Sequence, residues 1–449
     1  MTTLTSALPA GQLAEAGARP LDRGDYKTLA LSALGGTLEF YDFVVFVFFA
    51  NVIGELFFPA DLPDWMRQLQ TLGIFAAGYL ARPIGGVLIA HFGDLLGRKR
   101  MFTLSIFLMA LPTLAIGLLP TYAAIGIAAP LLLLLMRVVQ GAAIGGEMPG
   151  AWVFVAEHAP ARHYGLAIGT LTSGITGGIF LGSIIGVWLN THYSAAEIHD
   201  WAWRIPFLLG GVFGLVSVYL RRFLEETPIF KAMAARRQMG GEMPLKITLR
   251  EHRQALLLVA LMTWVLSTGV VVVVLMTPGY LQKVHHIAPA LALEANAVAT
   301  VTLTLGCVFW GWFSDRFGTR WAMLLGWLGM AISAYLFYLG LPGSATSLVV
   351  SYALVGFFVG AISLLPVVGV RAFPAPVRFS GLSFAYNAAY AVFGGLTPML
   401  VTLWLKVDTM APAHYVAAMG LLGAAIAFWP LACRGWQPAG QQQAGVRRG

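Results

Sequence analysis

The residues of this sequence that could do chemistry are ionisable side chains inside long apolar segments. In the segment that contains EFYDFVVFVF, Glu39 and Asp42 are three residues apart and therefore lie on one face of a helix. Arg82 and Arg137 occupy similar positions in two further segments, and Gln140 follows Arg137 on the same face. A charge in such surroundings is costly, so these side chains must face a wet cavity or one another.

These residue types suit the joint binding of a proton and an anion. A poorly solvated carboxyl group can bind and release a proton near neutral pH, and arginine presents a planar fork that holds both oxygens of a carboxylate. We therefore predict that Glu39 and Asp42 couple a proton and that Arg82, Arg137 and Gln140 bind an anionic substrate. Each ligand then favours the binding of the other. The alternative is that these charges form structural ion pairs.

The segments that carry these residues predict an all-α membrane protein. Of the 449 residues, 58% are hydrophobic and 11% are charged, whereas soluble domains carry about 25% charged residues. A transmembrane helix needs about 20 mostly apolar residues. Twelve stretches meet this condition: 29–54, 67–92, 101–119, 122–148, 163–189, 202–220, 254–281, 295–314, 320–341, 346–370, 379–404 and 412–433.

The basic residues predict how these helices cross the membrane. Of the 28 lysines and arginines, 22 fall in tails and loops on one side, four fall on the other, and two lie within helices. Because basic residues concentrate on the cytoplasmic side, we expect both termini in the cytoplasm of a bacterial-type inner (plasma) membrane. The same asymmetry accounts for the net charge of +8 without a nucleic-acid partner.

The chain divides into two halves that share repeated sequence motifs. The motif GDLLGRKR from Gly93 recurs as SDRFGTRW from Ser314, and PARHYG from Pro160 recurs as PVRFSG from Pro376. Each repeated motif connects the same pair of helices in its half. This is the pattern of a transporter built from two six-helix repeats with the substrate between them. The predicted parts are a tail (1–28), a six-helix bundle (29–220), a cytoplasmic linker (221–253), a second six-helix bundle (254–433) and a tail (434–449).

The second half contains no charge deep in a predicted helix, so its candidate substrate contacts are polar or aromatic. We assign this role to Trp264, Tyr386 and Asn387. Packing at helix interfaces is the alternative for each of them.

The motif GDLLGRKR and its degenerate copy resemble the signature loop of the major facilitator superfamily. LEFYDF, FFP at Phe57, ARPIGG at Ala81, RVVQGAAIGGE at Arg137, WRIPF at Trp203 and LEETPIF at Leu224 narrow the resemblance to its metabolite:proton symporters. That branch includes carriers of citrate, 2-oxoglutarate, shikimate, proline and betaine. The resemblance implies the major facilitator fold and a loop that latches the two halves on the cytoplasmic side. The predicted gating residues are Asp94, Arg98, Arg100, Glu147, Asp315 and Arg320.

The predicted function is proton-coupled import of a small polar metabolite, an organic acid such as a di- or tricarboxylate, by alternating access. The alternatives are an osmolyte symporter for proline or betaine, and an efflux antiporter on the same fold. An intramembrane enzyme is disfavoured because the sequence has no His-Glu-x-x-His pair, no nucleotide-binding loop and no Gly-x-Ser-x-Gly elbow. We expect no cofactor, no metal and a monomeric protein.

Overall fold

The chain folds into a bundle of long helices. A computed structural model describes residues 22–227, 244–341 and 343–433, and this part contains no β-strand. Twelve long helices, α1 to α12, form the described bundle. Their bounds are Arg23–Phe48, Asp64–Leu96, Arg98–Leu118, Ala128–His158, Tyr164–His192, Arg204–Arg221, Arg253–Val284, Pro289–Phe317, Thr319–Leu339, Ala345–Ala372, Arg378–Leu405 and Ala411–Ile426. Ten of them are long and apolar enough to cross a membrane, and the predicted all-α architecture is confirmed.

The helix bounds differ most from the prediction at α4. Tyr122–Ile125 form a separate helical turn, because Gly126 follows with a φ of +57°, a conformation that glycine adopts without strain. Helix α4 then runs well past its predicted end at residue 148 and stops at His158. Glu157 in this last turn is buried against arginines, so the helix continues without exposing a charge to lipid.

Two helices of the second half depart from regular α geometry. The segment Gly269–Met276 within α7 is π-helical, and Gly360–Ser363 within α10 forms a 3₁₀ turn. Such mid-helix irregularities often occur at hinges or functional sites.

A stripe of glycines from Gly174 to Gly186 lets α5 pack closely on α1. A Cβ at Gly178 would lie 2.1 Å from the Thr37 carbonyl oxygen. Thr37 Oγ1 donates a hydrogen bond to the Gly174 carbonyl oxygen at 2.8 Å. Small residues at four-residue spacing permit such a close approach of two helix backbones.

The first half comprises α1–α6 and the second half comprises α7–α12. Helix α2 lies along α11, and α5 lies along α8. The latter pair approaches closely, since a Cβ at Gly165 would lie 2.5 Å from the Gly311 carbonyl oxygen. We call the end of the bundle at which α2 meets α3, where Arg98 lies, the basic end; the sequence predicts that it faces the cytoplasm.

Candidate functional site

A cavity lies between the two halves and forms the candidate site. We call it the central cavity. Helices α1, α2 and α4 of the first half and α11 of the second half supply its wall. The lining residues are Phe40, Asp42, Gly78, Tyr79, Arg82, Arg137, Gln140, Gly141, Ile144, Tyr386 and Tyr390.

The Asp42 carboxylate accepts hydrogen bonds from three side chains in the wall of this cavity. Arg137 Nη1 lies 2.6 Å from Asp42 Oδ2. Gln140 Nε2 and Thr113 Oγ1 lie 3.1 Å and 3.2 Å from Asp42 Oδ1. Gln140 also donates to Thr113 at 2.7 Å and accepts from Arg137 at 2.9 Å, so the four groups form one connected network. The network joins α1, α3 and α4 around one carboxylate.

Arg82 lies among three tyrosine rings contributed by both halves. Its guanidinium carbon is 5.4 Å from the ring centre of Tyr79, 5.9 Å from that of Tyr386 and 5.1 Å from that of Tyr390. Tyr79 and Tyr390 also stack on each other across the interface at 6.1 Å. Arg82 Nε donates to Asn387 Oδ1 at 3.4 Å. The cation is therefore held by ring faces and by an amide of the opposite half.

At the basic end, buried charges join the two halves. Asp94 of α2 accepts hydrogen bonds from the backbone nitrogen and hydroxyl group of Ser380, at 3.0 Å and 2.8 Å, in the first turn of α11. Arg98 pairs with Glu157 and donates to the Ala375 carbonyl oxygen at 2.8 Å. Glu157 also pairs with Arg378 of the second half at 3.0 Å. These contacts close the basic end.

Asp315 makes the counterpart of the Asp94 contact from the second half. Its two carboxylate oxygens accept hydrogen bonds from the backbone N–H groups of Gly165 and Leu166 in the first turn of α5, with N···O distances of 2.7 Å each. A carboxylate at a helix N-terminus is favoured by the N–H groups that lack helical partners there. Each copy of the repeated loop motif thus places an aspartate on the start of a helix in the other half.

Comparison with known families identifies this architecture. The sequence profile of the Major Facilitator Superfamily matches residues 43–398. The chain belongs to the major facilitator superfamily. As a member of this superfamily it is a multi-pass membrane transporter and not an enzyme.

Relatives and solved structures within the superfamily are similar along most of the chain. The proline/betaine transporter of Salmonella typhimurium (strain LT2) is 33% identical over 422 residues, which cover 88% of this chain and 81% of that protein. The glycine betaine/proline/ectoine/pipecolic acid transporter OusA of Dickeya dadantii (strain 3937) is 32% identical over 421 residues, with coverages of 88% and 81%. The proton:xylose symporter XylE bound to 6-bromo-6-deoxy-D-glucose superposes with a TM-score of 0.74 at 19% identity, covering 90% of this chain and 94% of XylE, and therefore shows a shared fold.

The structure of this superfamily member brings most of the predicted binding residues together. The central cavity is lined by five of them: Asp42, Arg82, Arg137, Gln140 and Tyr386. Asn387 is not a lining residue but accepts a hydrogen bond from Arg82. The side chain of Glu39 lies outside the described residues, so its predicted role in proton coupling remains a prediction.

Trp264 lies elsewhere and is not among the lining residues of the central cavity. It stacks on Phe393 at 4.2 Å, and its Nε1 donates to the Tyr415 hydroxyl group at 2.8 Å. These contacts join α7, α11 and α12, and the predicted contact of Trp264 with substrate stays a prediction.

The predicted gating residues fall into three groups. Asp94, Arg98 and Asp315 contact the opposite half. Arg100 and Arg320 are exposed at the basic end. Glu147 is completely buried within the first half, where it pairs with Arg221 at 2.5 Å and accepts a hydrogen bond from Ser105.

Some residues of the site were not singled out from the sequence. Thr113 and Tyr79 carry no distinguishing pattern in their apolar helices. By contrast, Arg378 and Ser380 belong to the repeated motif PVRFSG. The repetition of this motif in both halves could therefore have indicated residues that make contacts at the basic end.

Proposed function

We propose that this transporter couples proton entry to the import of a small zwitterionic osmolyte of the proline and betaine class, by alternating access. The names of the similar transporters support this class, and the similarity to them extends over 88% of the chain. The proposal thus prefers the osmolyte alternative to the di- or tricarboxylate that the paired arginines first suggest.

The observation that carries the proposal is the combination of an arginine with tyrosine faces in a single cavity. Arg137 pairs with Asp42, and the Arg82 guanidinium lies among the rings of Tyr79, Tyr386 and Tyr390. The rings of Tyr79, Tyr386 and Tyr390 suit the cationic end of a zwitterion, because a quaternary ammonium group is attracted to aromatic faces.

In this proposal the substrate carboxylate binds Arg82 and its ammonium group lies against the neighbouring rings. Arg82 provides a planar fork for the carboxylate oxygens. The zwitterion then satisfies both charges within one cavity, as a small buried ligand requires.

Asp42 is the proposed proton site. The hydrogen bonds from Arg137, Gln140 and Thr113 hold its carboxylate in place. A substrate carboxylate bound at Arg82 also attracts Arg137, which lines the same cavity, and so weakens this hold and makes protonation of Asp42 easier. By linkage, protonation in turn favours the binding of substrate.

Opening and closing at the basic end would then move the substrate. We assign the gate to the contacts of Asp94, Arg98 and Asp315 with the opposite half, and we place this end in the cytoplasm. Arg100 and Arg320 set the orientation through their charge. Glu147 supports the first half as a structural partner of Arg221 and does not cross the interface.

Uptake into proteoliposomes tests the proposal. Radiolabelled proline, glycine betaine, citrate, 2-oxoglutarate and shikimate would be compared, with and without an inward proton gradient. We expect the gradient to drive accumulation of the osmolytes, with no accumulation of citrate. Accumulation of citrate alone would contradict the proposal and support import of an organic acid instead. Osmolyte efflux driven by an inward proton gradient would identify an antiporter.

A further inference from the structure

The carbonyl group of Gly145 lies at the contact between the two halves, on the basic-end side of Arg137. Pro149, four residues later in α4, has no N–H, so this carbonyl lacks its usual α-helical donor. Asn387 Nδ2 donates to it at 2.6 Å and Ser383 Oγ donates at 3.0 Å. Both donors belong to α11. A proline in one half therefore leaves a backbone acceptor that the other half satisfies.

The other end of the Asn387 side chain contacts Arg82. Asn387 Oδ1 accepts a hydrogen bond from Arg82 Nε at 3.4 Å. The two contacts fix the orientation of the amide, because a carbonyl oxygen needs the NH₂ group and a guanidinium needs the oxygen. One buried amide thus joins the carboxylate-binding arginine of our proposal to the contact between the halves.

Close packing excludes water from this contact. A Cβ at Gly86 would lie 2.8 Å from Asn387 Nδ2, and a Cβ at Gly145 would lie 2.1 Å from the Arg82 carbonyl oxygen. Ser383 and Asn387 are completely buried. Water can therefore replace these donors only after the two halves separate at this level, which makes the hydrogen bonds specific to the closed basic end.

We propose that Asn387 is a positioning residue that links the occupancy of Arg82 to closure of the basic end. In the closed state its amide forms hydrogen bonds with both the Gly145 carbonyl and Arg82. A carboxylate that arrives at Arg82 competes with Asn387 Oδ1 for the guanidinium, which weakens one end of this bridge and favours opening. The link to substrate rests on the proposed function, whereas the link between Asn387 and closure does not.

The accessibility of a cysteine measures closure without any substrate. Ala90 is completely buried and packs against Phe379 of α11, so a thiol at this position becomes accessible when the basic end opens. The Ala90→Cys variant would be made with Cys307→Ala and Cys433→Ala, and its maleimide alkylation rate measured in detergent. Asn387→Ala should raise this rate about tenfold, the size expected for the loss of a buried hydrogen bond.

Pro149→Ala is the matched control for the carbonyl. It supplies an N–H that bonds the Gly145 carbonyl within α4, so that Asn387 is no longer required there. In the Pro149→Ala background, Asn387→Ala should change the alkylation rate less than about twofold. An equal effect of Asn387→Ala in both backgrounds would overturn the proposed role of the carbonyl.

Ser383→Ala tests the same contact if Asn387→Ala does not fold. It removes one donor to Gly145 and leaves the bond between Asn387 and Arg82, so we expect about a threefold rise in the alkylation rate. Saturating glycine betaine should raise the rate in the protein with native Asn387 and have little effect in Asn387→Ala. No effect of glycine betaine, with a clear effect of Asn387→Ala, would reject the proposed substrate alone. An unchanged rate in both Asn387→Ala and Ser383→Ala would overturn the role of Asn387.

Discussion

Arg137 Nη1 lies 2.6 Å from Asp42 Oδ2, and this ion pair joins α4 to α1 in the wall of the central cavity. The pair is nearly inaccessible to solvent, with the Asp42 side chain 3% and the Arg137 side chain 7% exposed. Breaking a buried pair by removing one partner leaves an uncompensated charge. In the proposed mechanism, a substrate carboxylate bound at Arg82 adds a negative charge close to Arg137 while a proton neutralises Asp42, so that this penalty is avoided.

Asp42→Asn should separate exchange from accumulation. An amide keeps the size of the side chain and the capacity for hydrogen bonds but cannot bind a proton, so gradient-driven accumulation should fall to the equilibrium level. Exchange of labelled for unlabelled glycine betaine should stay within about threefold, because it needs no net proton movement. Both activities would be measured in proteoliposomes. Asp61→Asn, at an exposed position, is the control and should retain accumulation.

Undiminished accumulation by Asp42→Asn would contradict the proposed proton site. The same assay with Glu39→Gln would then test the other predicted carboxyl group.

Arg82→Lys should weaken substrate binding although it preserves the charge. Lysine lacks the planar fork and the flat surface that lies over Tyr79 and Tyr390. We expect the KM for glycine betaine to rise tenfold or more, which corresponds to about 1.4 kcal/mol of binding free energy. Arg250→Lys, at an exposed site in the helix Pro244–Glu251, should leave the KM unchanged. A KM for Arg82→Lys within a factor of two of the native value would show that Arg82 does not bind the substrate.

How far the sequence predicts the site depends on the kind of residue. Charges inside apolar helices are rare because they are costly, so Asp42, Arg82 and Arg137 could be selected from the sequence alone. Thr113 and Tyr79 could not, since uncharged polar and aromatic residues occur on any helix face. Their roles depend on which faces meet in the folded bundle.

Contacts between distant residues required the folded structure. The two repeated loop motifs indicated the basic end, but not that Glu157 would pair with Arg378 of the other half. The sequence predicts that Asn387 binds substrate, and this stays a prediction. It did not indicate that the Asn387 amide would bond the Gly145 carbonyl and Arg82. That arrangement follows from the missing N–H of Pro149, and its consequence is visible only once α4 and α11 are placed side by side.

Glu147→Ala should destabilise the first half rather than alter gating. It leaves Arg221 buried without its 2.5 Å partner, and the loss of one member of a buried pair costs about 3–5 kcal/mol. The thermal unfolding midpoint in detergent should therefore fall by several degrees. Replacing both members, as Glu147→Leu with Arg221→Met, should restore part of the loss, because no charge then remains buried.

Glu251→Ala is the control for that experiment, since its pair with Arg250 is exposed and should leave the midpoint unchanged. A native midpoint for Glu147→Ala, combined with faster alkylation of the Ala90→Cys variant, would instead support the original assignment of Glu147 to the gate.

Gly178→Ala and Gly177→Ala should differ in their effect on stability although the two positions are neighbours on α5. A Cβ at position 178 would lie 2.1 Å from the Thr37 carbonyl oxygen, whereas a Cβ at position 177 meets no atom within 4 Å. Overpacking of this kind costs about 1–3 kcal/mol, so Gly178→Ala should lower the thermal unfolding midpoint and displace α1, which carries Asp42, from α4. Gly177→Ala should be neutral or slightly stabilising, because alanine favours a helix over glycine by about 1 kcal/mol. Equal midpoints and equal proton-driven uptake for the two variants would show that close packing of α5 on α1 does not hold the proton site in place.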